Sequence, residues 1–363
     1  MSAEHRNARN CLLVLRNRKI NNFAYAGKII DDFSSACYYF DRVSYIAFDE
    51  SDEIVRAIKD AKANYENVLI ICPAGMERAV KDFVSNLYNS NFGGTDILKT
   101  DDSKVFVMYC DRANKLSVEN IKSLLDERYG VSYIKSYIKT VCAPVKEVNE
   151  AIAKVKSQFS DADIIVNDIF GDCSIEVTCS DKIVSTDRDK IMRILVGELS
   201  EYLYAMDNVT LAERLFHLLK LRRMKISVAE SFTGGGVGMK LVEVPGISSV
   251  YFEGLNTYSN ESKMSRLKVN DCTLHQFGAV SAETAVEMAK GLLEDGNCDI
   301  SIATTGIAGP ASDNTSKPVG LVYIAVGTAN GINVYEYNLK GGREAVTKTA
   351  INLALFLAYK TLK

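Results

Sequence analysis

The sequence is poor in histidine and lacks the residue spacings that define several common sites. Only three histidines occur in 363 residues, which disfavours a catalytic Ser-His-Asp triad. The nine cysteines form no C-x-x-C pair, so a cysteine zinc site and a disulfide framework are both disfavoured, and we expect buried free thiols. No apolar run reaches about 18 residues, and the apolar run near the charged N-terminus is too short for a secretory signal. We therefore expect a cytoplasmic protein without a membrane span.

The remaining composition is that of a globular chain with two or three domains. The net charge of −3 gives no reason to expect a nucleic-acid partner. Across residues 1–135, short apolar runs such as "NVLIIC" alternate with amphipathic segments such as "SDEIVRAIKDAKANY". This alternation predicts an α/β domain with a mostly parallel sheet, whose last helix would lie at "SVENIKSLLDERYG" (117–130).

The pattern then changes twice. Residues 136–207 read as a small βαββα unit of α+β type, with a turn near Gly171 and Asp172. Residues 208–363 read as a further α/β domain, in which "KISVAE" and "DISIATTG" are strands and "SAETAVEMAKGLLEDG" is a helix. Asn330-Gly331 between two alternating strands predicts a type I′ hairpin. The chain would end on a helix with Val346, Ala350, Leu353 and Leu357 along one stripe.

Glycine and proline concentrate in the loops of the last domain. Three of the five prolines, Pro245, Pro310 and Pro318, lie there beside glycine or polar clusters. Loops at the carboxyl ends of strands form the ligand crevice of an α/β sheet, so these loops predict a site.

The stretch "AESFTGGG" (229–236) runs from a strand into a helix. Backbone amides at such a helix start can bind a phosphate or an oxyanion. The alternative is a plain N-cap by Ser231 or Thr233, with glycines for the turn geometry. No G-K-[ST] follows, and the G-x-G-x-x-G spacing is absent, so neither a Walker loop nor a dinucleotide fingerprint is present.

A second stretch, "SSVYFEGLNTYSNESK" (248–263), contains the groups that a Ser/Lys amidase needs. A serine hydroxyl such as that of Ser249 needs a base to remove its proton, and a desolvated Lys263 with Tyr258 as relay could serve. The alternative is a surface lysine and a half-buried tyrosine. Arg343 stands at a helix start in "GGREAV", where it suits a carboxylate or phosphate, or is simply solvated.

Together and in this order, the motifs resemble the CinA family (competence/damage-inducible protein A). The matching stretches of residues 208–363 are "AESFTGG", "VPGISSVYFEG", "NTYSNESKM", "FGAVS", "TTGIAGP", "KPVG" and "GGREAV". The family's C-terminal domain is a nicotinamide mononucleotide amidohydrolase (PncC), which forms nicotinic acid mononucleotide and ammonia in pyridine nucleotide recycling. The resemblance also implies a KH-like α+β domain at 136–207, a molybdopterin-binding-like domain at 1–135, and a homodimer.

The resemblance further implies roles for individual residues. Ser249 would be the nucleophile or position the water, with Lys263 and Tyr258 as base and proton relay. Ser231 and Thr233, with the amides of Gly234 and Gly235, would line the pocket or hold the oxyanion. Arg343 would hold the charged end of the substrate, Thr305 and Gly306 would form another wall, and Asn260 would also bind the substrate. No metal or organic cofactor would be required.

The sequence departs from the family pattern in two places. Phe232 replaces the cysteine of A-E-S-C-T-G-G, which excludes a thiol nucleophile there and favours a serine mechanism. The family's G-G-L-G-P-T-x-D-D loop is replaced by "IICPAGMERAVKDF", and "LRNRKINN" stands in place of its acidic G-D-E-L-L-type signature. Without the glycines and paired aspartates, the first domain is predicted to have lost ADP-ribose pyrophosphatase activity and to be structural or regulatory. The alternative for the whole chain is a non-catalytic nucleotide-binding or scaffold protein of competence or DNA-damage responses.

Overall fold

The structure is a computed structural model of the chain, which folds as two compact units. The first comprises Met1–Lys135 with Thr178–Val184, and the second comprises Ser136–Val177 with Ser185–Lys363. The second unit thus takes in most of the predicted second and third domains, and the boundary at residue 207 stays a prediction. The residues that the structure describes are 9–16, 23–35, 38–47, 51–73, 75–93, 97–99, 104–109, 133–294, 296–310 and 316–363.

The first unit contains a five-stranded sheet of order β2-β1-β3-β5-β4. Its pairs are parallel except for β4 with β5, and β3 is buried along its whole length, as expected of a central parallel strand. The predicted α/β alternation is therefore confirmed, although the helix predicted at 117–130 lies outside the described residues. The elements are β1 (Asn10–Arg16), α1 (Phe23–Ser35), β2 (Arg42–Ala47), α2 (Ser51–Asn64), β3 (Asn67–Cys72), α3 (Glu77–Tyr88), β4 (Ile97–Lys99) and β5 (Lys104–Tyr109).

A four-stranded sheet of order β7-β8-β6-β9 follows. The predicted strand–helix–strand–strand–helix order is confirmed, with a short strand added at its end. The turn between β7 and β8 uses Gly171 at φ +81°, and a Cβ there would come within 2.6 Å of Cys142 Sγ. The elements are β6 (Tyr133–Val141), α4 (Val145–Gln158), β7 (Asp163–Ile169), β8 (Asp172–Ser180), α5 (Ser185–Leu199) and β9 (Leu203–Ala205).

The C-terminal sheet has the order β11-β10-β12-β13-β14. Strand β10 is parallel to both β11 and β12, whereas β13 and β14 are antiparallel and form the predicted hairpin. The predicted type I′ turn at Asn330-Gly331 is wrong: Thr328 pairs with Gly331, so Ala329 and Asn330 are the central residues, and neither has the positive φ that a type I′ turn requires. The elements are α6 (Leu211–Arg222), β10 (Ile226–Glu230), α7 (Gly236–Val242), a 3₁₀ turn (Ile247–Ser249), β11 (Tyr251–Asn256), α8 (Asn260–Leu267), α9 (Asp271–Phe277), α10 (Ala282–Leu293), β12 (Ile300–Gly306), β13 (Leu321–Thr328), β14 (Gly331–Asn338) and α11 (Arg343–Leu362).

Helix α11 is buried on more than the predicted stripe. Val346, Ala350, Leu353 and Leu357 are buried, but so are residues on the opposite face, Leu355 among them. The reason is that α11 packs against both α6 and the strands β12 and β13. Within the described residues, no helix combines the length and apolarity needed to cross a bilayer.

The cysteines are free thiols wherever the structure describes them. Cys11, Cys72, Cys173, Cys179 and Cys298 are buried, as expected. Cys142 is partly exposed and Cys272 is exposed, so the expectation of burial fails for these two. Cys37 and Cys110 lie outside the described residues.

Candidate functional site

The strands β11, β10 and β12 are parallel neighbours, so their carboxyl ends lie side by side at one end of the C-terminal sheet. In the register, Glu230 at the end of β10 stands opposite Asn256 of β11 and Thr304 of β12. Ser231 follows Glu230 directly, and its amide donates to the carbonyl of Thr304 (3.0 Å). Thr257 likewise follows β11, and its amide donates to the carbonyl of Glu230 (2.9 Å). The strand order therefore places the predicted "AES" turn beside the loop that leads to Lys263.

Lys263 is fully buried, with a relative exposure of 0%. It lies in the first turn of α8, which is capped by the Ser259 hydroxyl accepting the amide of Ser262. A helical side chain leans back towards the helix N-terminus, and the Lys263 ammonium accordingly reaches the loop before the helix. There it donates to the carbonyls of Thr257 (2.8 Å) and Tyr258 (3.1 Å).

The third partner of Lys263 is the hydroxyl oxygen of Ser231, at 3.0 Å from Nζ. Burial lowers the pKa of Lys263 from 10.5 to about 8, since the charged form is poorly solvated there. An amine with this pKa is in part neutral near neutral pH and can then accept a proton from a hydroxyl. The alternative of a surface lysine is thus excluded by its burial.

Ser249 lies at the amino-terminal end of β11, whereas Lys263 lies beyond its carboxyl end. This corrects the expected pairing of Ser249 with Lys263. The five steps from Tyr251 to Asn256 cover roughly 17 Å at about 3.3 Å per residue. The exposed hydroxyl of Ser249 donates to the carbonyl of Gly246 (2.9 Å). Ser249 therefore cannot share a proton with Lys263, and the serine hydroxyl beside Lys263 is that of Ser231.

The glycine turn is occupied by a carboxylate of the chain itself. Glu230 is buried (2% exposed), and its Oε2 accepts the amides of Gly235 and Val237 at 3.0 Å each. Its Oε1 accepts the amide of Gly238 at 2.8 Å. The expectation that the Gly235 amide holds an oxyanion is corrected, because that amide is already used. The Gly234 amide is also used, by the carbonyl of Ser231 (3.3 Å).

Thr233 and Phe232 face into the protein. The hydroxyl of Thr233 shares a buried 2.6 Å hydrogen bond with that of Thr304. Phe232 is 7% exposed and belongs to the apolar core formed by α6, α7, α11 and the sheet. The Phe232 ring is thus a core side chain.

The other predicted site residues are either exposed or hydrogen-bonded to backbone carbonyls outside the contact between Ser231 and Lys263. The Tyr258 side chain is 69% exposed, and its contact to Lys263 is through the carbonyl. Asn260 is the exposed first residue of α8. Thr305 is buried and donates to the carbonyl of Ala279 (2.7 Å), and Arg343 donates to the carbonyl of Gly309 (2.9 Å). Gly306 ends β12, where a Cβ would come within 2.9 Å of the carbonyl oxygen of Leu321.

A cavity of about 700 Å³ lies elsewhere in the second unit, and none of the predicted site residues lines it. Its walls are formed by α6, α7, α11 and the sheet of β6 to β8. Two of its lysines form ion pairs, Lys240 with Glu243 and Lys348 with Glu344. Asp172 lies near Lys139 and Lys240, while burial raises its pKa. Across the described residues, no cluster of three or more His, Cys, Asp or Glu is arranged to hold a metal ion.

Sequence reasoning missed Glu230, Thr257 and Thr304. Glu230 had a usable signal, because a carboxylate directly before a glycine-rich helix start can accept the amides of that helix. Thr257 acts through its backbone, and Thr304 through strand pairing, so no residue-type signal pointed to either.

The chain is a mixed α/β protein that presents a buried lysine to a serine at the edge of a sheet. The family model of the CinA C-terminal domain matches residues 208–362. A putative competence-damage inducible protein of Caldicellulosiruptor saccharolyticus is 44% identical over 184 residues, which are 50% of this chain and 45% of that protein. A CinA-like protein of Fusobacterium nucleatum is 40% identical over 211 residues, 57% of this chain and 52% of the relative. Residues 208–362 of this chain are therefore a CinA C-terminal domain.

Solved structures named as competence/damage inducible or CinA superfamily proteins are also similar to this chain. The competence/damage inducible protein CihA from Agrobacterium tumefaciens is 38% identical, with 40% of this chain and 90% of that chain covered and a TM-score of 0.39. A CinA superfamily protein from Klebsiella pneumoniae is 32% identical, with 42% and 95% covered and a TM-score of 0.41. The chain spans about half the length of the curated relatives from Caldicellulosiruptor saccharolyticus and Fusobacterium nucleatum.

Proposed function

We propose that the C-terminal part of this protein hydrolyses the carboxamide of nicotinamide mononucleotide to nicotinic acid mononucleotide and ammonia. The observation that carries the proposal is the 3.0 Å contact between the fully buried Lys263 and Ser231. A serine becomes a nucleophile when a neighbouring base takes its proton, and a desolvated lysine is such a base. The family membership supports this choice of substrate.

In the first half of the reaction, neutral Lys263 takes the proton of the Ser231 hydroxyl. The Ser231 oxygen then attacks the carboxamide carbon, and the C=O electron pair moves to oxygen. Collapse of this tetrahedral species breaks the C–N bond, while the Lys263 ammonium returns the proton to the leaving nitrogen. Ammonia departs, and the acyl group remains as an ester on Ser231.

In the second half, a water molecule replaces ammonia. Lys263 takes its proton, and the hydroxide attacks the ester carbon. The C–O bond to Ser231 breaks, the proton returns to the Ser231 oxygen, and the carboxylic acid product ionises. Each half-reaction thus leaves Lys263 neutral, as it began.

The oxyanion of both tetrahedral species needs hydrogen-bond donors near Ser231. Within the part of the chain that the structure describes, the amides of Phe232 and Thr233 donate to no backbone carbonyl. They directly follow the nucleophile on a sharp strand-to-helix turn, which is where acyl-transfer enzymes commonly place such donors. We assign the oxyanion to these two amides in place of Gly234 and Gly235.

The test is to incubate the purified protein with nicotinamide mononucleotide and measure both ammonia and nicotinic acid mononucleotide. Equal amounts of the two products support the proposal. Tight binding of the nucleotide without either product would favour the non-catalytic nucleotide-binding alternative. Metal-dependent formation of AMP from ADP-ribose would show that the first unit retains pyrophosphatase activity, which we propose it has lost. Sedimentation of the full chain tests the proposed homodimer.

A further inference from the structure

We propose that Glu230 is a positioning residue: its buried carboxylate takes the place of a bound anion and fixes the turn that carries Ser231. This inference rests on the proposed function for its kinetic test, but its geometric basis is independent of the substrate.

The carboxylate is bound by three amides of a single turn. Its two oxygens accept from Gly235 and Val237 at 3.0 Å each and from Gly238 at 2.8 Å. The first amides of a helix have no partners within the helix, and they attract negative charge. In many proteins a phosphate or sulfate meets this need. Here the side chain of the residue just before Ser231 does so.

The space around the carboxylate is closed by neighbouring groups. A Cβ at Gly238 would lie 3.5 Å from Glu230 Oε1 and only 2.7 Å from the Tyr251 hydroxyl oxygen. The pKa of Tyr251 is raised to about 12 by burial and, secondly, by the charge of Glu230. The absence of a side chain at position 238 thus lets the helix start approach both groups.

The consequence for Ser231 follows from its position in the chain. On one side, the peptide of Ser231 is tied to β12 through the carbonyl of Thr304 (3.0 Å). On the other side, the Glu230 carboxylate binds the amides of the residues five, seven and eight positions further along and so holds them at the end of the strand. The Ser231 backbone is therefore held between two anchors, and its hydroxyl is directed to Lys263. Removing the carboxylate would release one anchor without touching Lys263.

The experiment compares Glu230→Ala, Glu230→Gln and Glu243→Gln, with and without sodium formate. Glu230→Ala leaves a carboxylate-sized space lined by amide donors, which formate can refill. Glu230→Gln fills that space but places an NH2 donor against amide donors. Glu243→Gln is the matched control, because Glu243 caps the other end of α7 and pairs with Lys240 in solvent. Sodium chloride at equal ionic strength controls for salt.

We expect Glu230→Ala to lose about 100-fold in kcat with KM little changed, because a misplacement near 1 Å has about this cost. Formate should restore most of this kcat, and chloride should not. Glu230→Gln should also be slow but insensitive to formate, and its pH profile should keep the apparent pKa of Lys263. Glu243→Gln should behave as wild type in every condition.

Several results would overturn the inference. One is a folded Glu230→Ala variant with wild-type kcat, and another is a slow one that formate does not restore. If Glu230→Ala does not fold, Glu230→Gln decides: wild-type kcat overturns the inference, and a lowered kcat at unchanged KM supports it.

A wild-type protein without amidase activity would defeat the proposed function alone. The role of Glu230 is then read from melting temperatures. A formate-dependent rise confined to Glu230→Ala supports the role, and no rise in that variant overturns it.

Discussion

Lys263 Nζ lies 3.0 Å from the hydroxyl oxygen of Ser231, although 32 positions separate the two residues in the chain. The contact forms because β10 and β11 are parallel neighbours, so the loops that follow the two strands lie side by side at the carboxyl end of the sheet. Ser249 is only 14 positions before Lys263 in the chain. It nevertheless lies at the opposite end of the sheet, because the whole of β11 separates the two residues. Distance along the chain is thus a poor guide to which serine meets the lysine.

The two serines provide a direct test of this geometry. We expect Ser231→Ala to lower kcat for nicotinamide mononucleotide by about 10³-fold or more, because no other hydroxyl bonds to Lys263 among the described residues. Ser249→Ala should retain kcat, since that hydroxyl is exposed and donates to the carbonyl of Gly246, away from Lys263. Ammonia release by the two variants gives the answer. Loss of activity in Ser249→Ala with activity kept in Ser231→Ala would reverse our assignment.

The pH dependence of turnover should report the Lys263 amine. Because the neutral form is the base, and the pKa of Lys263 is lowered to about 8, kcat should rise with pH through about 8 and then level off. Lys263→Arg should be inactive at every pH, because a guanidinium does not lose its proton in this range. A kcat that is flat from pH 6 to pH 10 would contradict the role given to Lys263.

The same group should leave a signature in stability. The pKa of Lys263 is about 8 in the folded protein, against an ordinary value of 10.5. Between these pH values the unfolded chain binds a proton that the folded chain lacks, so the Lys263 contribution to stability rises with pH. Relative to Lys263→Met, the wild-type free energy of unfolding should gain up to about 1.4 kcal/mol per pH unit in this window. Urea titrations of both proteins at pH 7, 8, 9 and 10 measure the difference, and a constant difference would refute the expectation.

Two helix glycines should respond oppositely to alanine. In α10, a Cβ on Gly291 would come within 2.1 Å of the carbonyl oxygen of Leu267, the last residue of α8. Gly291→Ala should therefore cost about 2 kcal/mol or more in unfolding free energy, because backbone must shift. In α5, a Cβ on Gly197 would meet nothing within 4 Å, so Gly197→Ala should stabilise by about 0.5 kcal/mol. Because Gly291 packs against the helix that carries Lys263, its variant should also lose amidase activity, whereas Gly197→Ala should not.

Much of the fold could be predicted because its signals are local. The buried run of β12, the capped amphipathic helix α10 and the hairpin of β13 and β14 all have patterns that a single window reveals. Strand β11 has no strand pattern in the sequence, because its residue types do not follow its burial: Glu253 is half-buried, Phe252 is exposed, and Gly254 follows. The short strands β4 and β9, of three residues each, are held by pairing rather than by pattern.

The site could be predicted only in part. Ser231, Thr233 and Lys263 were among the chosen residues, because hydroxyls and an amine in glycine-rich loops suit acyl transfer. Their pairing could not be read from the sequence, since it depends on which strands are neighbours. Burial of Lys263 could not be read either, because "NESKMSRL" is a polar segment whose lysine turns inward only to reach two backbone carbonyls. In the sequence, Glu230 is the last residue of a predicted strand. Its contacts with the amides of the following helix start could be predicted only if the first residue of that helix were known.

Lys263 and the loop before it hold one another in place. Two of the three acceptors of its ammonium are the carbonyls of Thr257 and Tyr258. The loop therefore keeps this conformation only while Lys263 donates these two hydrogen bonds. The low proton affinity of the amine is therefore a property of this local closure and not of the residue. Opening of residues 257–263 on heating would hydrate the amine and return it to the protonated form. We expect kcat to fall at temperatures where circular dichroism still registers an intact fold, because Lys263 becomes protonated before the protein unfolds.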